Sequence, residues 1–138
     1  MRGIGRAWGV AALVVALAIG VSGCGFVARS DFYVRNESGL ALLVSWDGNL
    51  DGKEGSSDGP IGPDQEALLV TGRLLEADEL LPSEFFGSIR LERVEPFSDP
   101  VEVFYESPVD DDRWERTVLT GTKRYRFTFV VTTGTLGH

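Results

Sequence analysis

Between residues 47 and 58 oxygen-bearing side chains fall at alternate places. Asp47, Asn49 and Asp51 are followed directly by Gly52, and Asp58 stands at the twelfth place counted from Asp47. Alternate carboxylate and amide oxygens on a short loop can converge on one hard cation such as calcium, with the glycine permitting the sharp turn beneath it. The same residues build ordinary turns, because Asp-Gly pairs supply the required backbone angles and local hydrogen bonds without a metal. Glu54 at the eighth place and a short Asp58 as the closing carboxylate depart from the tight calcium pattern, so a solvated turn is the simpler reading and calcium the alternative.

A second group of carboxylates comprises Asp110, Asp111 and Asp112 with Glu106 nearby. Glycoside hydrolysis needs two carboxylates held at a fixed separation across a cleft, and a consecutive run on a turn shows no such placement. Nucleophilic chemistry is poorly supplied as well. The single histidine is His138, at a chain end that cannot hold a base in a triad. There is no Gly-x-Ser-x-Gly elbow and no glycine-rich phosphate loop leading into a helix. The chain therefore reads as non-catalytic, with a hydrolase the weakest alternative. Trp46, Tyr105, Trp114 and Tyr125 could line a ligand or carbohydrate surface, but Trp46 and Tyr125 sit at core parity and read first as packing residues. Trp114, flanked by Arg113, Glu115 and Arg116, is expected at the surface as a contact residue. Asn36-Glu37-Ser38 reads as a turn.

The elements that carry these residues are short runs of Val, Leu, Phe and Tyr separated by Gly, Pro, Asp and Asn. Strands are expected at 31–36, 40–46, 66–71, 86–95, 101–106, 114–120 and 124–131, with 47–64 as one long loop. Leu74, Ala77 and Leu81 recur at helical spacing ahead of Pro82, which predicts one short helix over 74–81. In the run from Val101, the residues Val101, Val103 and Tyr105 are expected to face the core. Seven strands with frequent turns predict an antiparallel β-sandwich of immunoglobulin-like or transthyretin-like kind, with a small β-barrel as the alternative.

Upstream, Arg2 and Arg6 precede fifteen uncharged residues, Ala7 to Val21, and then Ser22, Gly23 and the only cysteine, Cys24. A positive segment, an apolar run and small residues before a cut are the parts of a secretory signal. The tetrapeptide Val21-Ser22-Gly23-Cys24 resembles the lipobox of bacterial lipoproteins. That resemblance covers residues 1–24 alone. It implies cleavage between Gly23 and Cys24, diacylglycerol in thioether linkage on Cys24, and a protein held to the cell membrane outside the cytoplasm. Two other readings of the stretch remain: an uncleaved membrane helix, because 22 uncharged residues run from Ala7 to Ala28, and a secretory signal with an incidental cysteine. Residues 24–30 are then a short tether and 31–138 the domain.

Cleavage would leave 11 basic and 21 acidic residues, a formal charge of −10. That charge excludes nucleic acid as a partner and works against adhesion to anionic lipid, so the acyl chains must supply the anchor. With its cysteine lipidated the domain has no disulfide and stands on its apolar core. The expected partners are the membrane, through Cys24, and an unidentified protein or envelope ligand.

Overall fold

A computed structural model of the chain describes residues 27–119 and 123–136, so Gly23, Cys24 and His138, with the whole signal segment, lie outside the described residues. Eight strands form two four-stranded sheets. The first holds, in spatial order, β4 (Glu66–Leu75), β1 (Val27–Glu37), β8 (Arg124–Thr132) and β7 (Trp114–Leu119); the second holds β3 (Glu54–Ser56), β2 (Leu42–Gly48), β5 (Phe86–Arg93) and β6 (Val101–Glu106). This is the expected β-sandwich. Each sheet keeps two open edges, so the closed barrel does not form. All strand pairs run antiparallel except β1 with β8, which are parallel.

The alternation of β1 shows how the layers close. Ala28, Phe32 and Val34 are fully buried, while Arg29, Asp31, Tyr33 and Arg35 between and beside them face outward. Phe32 lies at the centre of an aromatic cluster, with Phe86 edge-on at 5.0 Å, Phe127 stacked at 5.8 Å and Trp114 edge-on at 5.9 Å. Each large apolar side chain so buried contributes about 1.5–3 kcal/mol. The two inward polar residues of β1 are matched. Ser30 donates to the carbonyl of Leu80 at 2.7 Å, and Asn36 bonds the backbone of the next turn and of the 61–62 segment.

Five expectations are corrected. The 47–64 loop contains β3, which pairs with β2 through Ser45↔Ser56 and Asp47↔Glu54 and leaves only 49–53 as the hairpin turn; Ile61 bridges Leu42 further on. This short edge strand lacks apolar alternation because backbone pairing, with Trp46 lying over Gly55, holds it, and it raises the strand count from seven to eight. Val27 to Ser30, read as tether, are already the start of β1, paired to β4, with Arg29 and Ser30 also paired to β8. The helix is displaced: Leu74 and Leu75 end β4, and the helical turn α1 is Pro82–Phe85. Pro82 opens that helix rather than ending one, since a first-turn proline gives up no needed N–H, and the Glu84 carboxylate accepts from the Leu81 N–H at 2.8 Å. The fifth correction concerns β6. Its pairing with β5 slips between Leu91 and Glu92, so Phe104 comes opposite Leu91 and packs on Phe129 at 5.6 Å, while Tyr105 turns outward and is half exposed. One extra residue at a bulge exchanges the two faces.

Candidate functional site

The outward side chains of the second sheet converge on a shallow pocket of about 180 Å³ lined by Ser45, Asp47, Glu54, Ser88, Arg90 and Tyr105. Strand register places them. Asp47 lies opposite Glu54 on one side and Ser88 on the other, and Arg90 lies between Ser45 and Tyr105. Ser88 donates to the Asp47 carboxylate at 3.2 Å, and the Arg90 guanidinium stands 5.2 Å from the centroid of the Tyr105 ring. Arg90 is also bonded to Glu102 at 2.7 Å, a contact that raises its pKa above the usual arginine value and holds the charge in place. Two adjacent carboxylates, hydroxyls and a fixed guanidinium make a hydrogen-bonding floor for a polar ligand. A second, more apolar cleft of about 380 Å³ runs between residues 57–61 and the outer edge of β4 at 65–68.

Three of the four candidate cation ligands gather at one end of the β2–β3 hairpin. Asp47 is on β2, the Asn49 amide donates to the Ser83 carbonyl at 3.3 Å, and Asp51 accepts from the Lys53 N–H at 2.9 Å. Asp58 is elsewhere. Glu54 is opposite Asp47, so Asp58 lies four residues further along, about 13 Å at strand rise, and lines the second cleft. Among the described residues no group of three or more His, Cys, Asp or Glu side chains is placed to hold a metal ion.

The aspartate run has local structural duties. Asp110 caps a single 3-10 turn by accepting from the Asp112 N–H at 3.0 Å, and Asp111 grips Ser83 at the start of α1 through both N–H and hydroxyl at 2.7 Å. Glu106 accepts from the Asp110 N–H at 2.9 Å and pairs with Arg113 at 2.5 Å. Trp114 is corrected from surface to core: it is 6 % exposed and packs on Phe86 at 5.6 Å and Phe129 at 5.3 Å. Its charged neighbours do not bring it to the surface, because a strand sends adjacent residues to opposite faces and an edge strand leaves even inward-parity Arg116 free to reach Glu79.

The exposed aromatic surface lies elsewhere, at β6. Phe97, in the β5–β6 turn, is fully exposed, and Val101 and Tyr105 on the β6 edge are about half exposed. Phe97 also holds φ at +63°, a conformation uncommon for a bulky side chain, and it presents the ring at the tip of the turn. The signal for Phe97 was available in the sequence as an apolar residue inside the Pro96-Ser98-Asp99-Pro100 turn. Tyr105 required knowledge of the bulge.

Among the described residues no helix is long and apolar enough to cross a membrane. No protein-family model matches the chain, and no curated protein or solved structure matches it either.

Proposed function

We propose that this chain is an envelope lipoprotein, anchored through lipid on Cys24, whose sandwich is a non-catalytic interaction module for a protein or envelope ligand. The lipobox-like Val21-Ser22-Gly23-Cys24 after its apolar run supports the anchor. One observation carries the interaction module: an open sheet edge, β6, bearing exposed Val101 and Tyr105 and ending at the outthrust Phe97. An exposed edge offers unpaired backbone groups to a partner strand, and apolar side chains beside it add affinity. The neighbouring polar pocket, which also uses Tyr105, supplies hydrogen bonds for specificity. The position suits the anchor. Val94 N–H bonds the Ala41 carbonyl, so the Phe97 turn lies beside the β1–β2 turn, at the end of the sandwich opposite the start of β1.

Two experiments test the reading. Metabolic labelling with a radioactive fatty acid should load the natural chain and leave a Cys24→Ser protein unlabelled, and a natural chain without label would exclude lipid on Cys24 as the anchor. A photoreactive residue replacing Phe97 should form a discrete crosslinked species in whole cells that the same residue at Thr117 does not form. Equal labelling from both positions would remove the β6 edge as the contact surface.

A further inference from the structure

In the first sheet Arg29 of β1 is the register partner of Arg73 on β4 and of Arg124 on β8. Three arginines therefore stand in one row across three adjacent strands, on the outer face, because Ala28 and Ser30 on either side of Arg29 are fully buried. Neighbouring strands are about 4.8 Å apart, and like charges directly opposite one another oppose folding. Elsewhere on this face arginines meet carboxylates closely: Arg126 pairs with Glu66, and Arg35 reaches Glu66 at 3.2 Å and Glu115 at 3.6 Å. The row is less well served. Its nearby acid is Asp31, 3.6 Å from Arg29 and 3.9 Å from Arg124, and Asp31 is also held by the Thr71 hydroxyl at 2.8 Å. Among the described residues the Nε atoms of Arg29 and Arg124 have no hydrogen-bond partner and no ion pair reaches Arg73. The acids Asp78 and Glu79 belong to the loop that closes the inner side of this end, where they bind Lys123 and Arg116. Glu76 follows β4 directly.

The row lies at the end of the sheet where the chain arrives from Cys24. Three peptide steps separate Cys24 from Val27, a reach of at most about 11 Å. Arg29 is two residues further on, about 7 Å along the strand. Leu75, opposite Val27 and on the same outer face as the row, is 72 % exposed at this end.

We infer that the Arg73–Arg29–Arg124 row, with Leu75 beside it, is a membrane-apposed face that takes the phosphates of anionic phospholipids in the bilayer to which the chain is tethered. The inference rests on the lipid anchor proposed above. The chain's net negative charge works against adhesion to anionic lipid as a whole, but its reach is short. At physiological ionic strength charges are screened over about 8 Å, so a headgroup at the row does not feel the acids at the far end of a strand three to four times that length. Apposition fixes the orientation of the domain and holds Phe97 away from the lipid.

The test uses the lipidated mature chain, reconstituted in vesicles of phosphatidylcholine with or without phosphatidylglycerol. A nitroxide is placed at Leu75→Cys or, for reference, at Phe97→Cys; the lipidated Cys24 offers no competing thiol. Collision with aqueous nickel chelate and with oxygen reports depth. Leu75 should be shielded from nickel and open to oxygen in the phosphatidylglycerol vesicles, Phe97 should be open to nickel, and R29Q/R73Q/R124Q should expose Leu75 again. Each arginine lost lowers the ratio of apposed to free orientations about fivefold. Equal shielding in phosphatidylcholine alone would overturn the assignment to anionic headgroups. A Leu75 label as wet as Phe97 on a chain with lipid on Cys24 overturns this inference and leaves the anchor standing. A chain whose mass shows no lipid on Cys24 overturns both.

Discussion

Replacing Asn36 by aspartate keeps the side chain's shape and removes its donor. Asn36 is fully buried, and its Nδ2 donates to the carbonyls of Leu40 at 2.5 Å, Ile61 at 2.9 Å and Gly62 at 3.2 Å, while its Oδ1 accepts from the Ser38 N–H at 3.0 Å and hydroxyl at 2.7 Å. One amide thus ties the end of β1 to the β1–β2 turn and to the segment that bridges β2. In Asn36→Asp an oxygen faces carbonyl oxygens in place of Nδ2. Two bonds of about 1 kcal/mol each are lost, and the Leu40 carbonyl left unpaired adds about 1–3 kcal/mol, while the Ile61 and Gly62 carbonyls keep the N–H groups of Leu42 and Gln65, so the penalty at neutral pH is about 3–5 kcal/mol. Stabilities of domains this size are about 5–15 kcal/mol, so the variant stands near its threshold.

The penalty should depend on pH. A protonated carboxyl can donate one bond back, so the folded state favours the neutral form and raises the new group's pKa above its unfolded value of about 3.9. The variant is therefore least penalised below that unfolded value and loses stability as pH rises toward the folded one, by about 1.4 kcal/mol per unit of difference. Urea unfolding followed by tryptophan fluorescence, on the variant and the natural chain at pH 4 and pH 7, measures this and cancels the other carboxylates. A penalty under about 1 kcal/mol, or one that does not shrink on acidification, would refute the reasoning.

Trp114→Ala should cost about 3–5 kcal/mol, because the ring fills the aromatic core between Phe86 and Phe129; urea unfolding within about 0.5 kcal/mol of the natural chain would return Trp114 to the surface. Lys123 hydrogen-bonds the exposed Asp78 carboxylate at 2.8 Å and so lowers its pKa. The stability this pair contributes is present above the unfolded carboxylate value and lost as pH falls through the folded one. An NMR titration should show Asp78 rising to the ordinary carboxylate range in Lys123→Met, and an unchanged midpoint would remove the pair as the cause. Because β3 carries Asp58 away from Asp47, millimolar calcium should move Tm by less than about 1 °C; a rise of several degrees would reinstate a calcium site at the hairpin, since a ligand of the native state must stabilise it.

The sandwich was legible where strands alternate cleanly. Phe127 and Phe129 are buried on β8 as the spacing required, and Leu42, Val44 and Trp46 are buried on β2. Reading failed where a partner distant in sequence decides the outcome. Ser30 looks like tether until the Leu80 carbonyl, fifty residues away, accepts its hydroxyl. Glu54 to Ser56 have no apolar period and become a strand only because β2 offers its edge. Phe104 and Tyr105 exchange faces at a bulge that no local pattern announces. Leu74 to Leu81 have helical spacing, yet Leu74 and Leu75 extend β4 beside β1 and Leu80 is drawn into the core. At the candidate site Asp47 was singled out from sequence. Tyr105 was one of four aromatic residues that could line a ligand surface, and Arg90 was not singled out, since only sheet register brings β5 and β6 to it.

Lipid on Cys24 is proposed to hold a sandwich whose first strand begins three residues later. Mass spectrometry of the N-terminal peptide of the membrane-fraction protein tests it most directly. The peptide should begin at Cys24 and carry diacylglycerol on its sulfur. A peptide beginning at Met1, or a Cys24 with a free thiol, would contradict it.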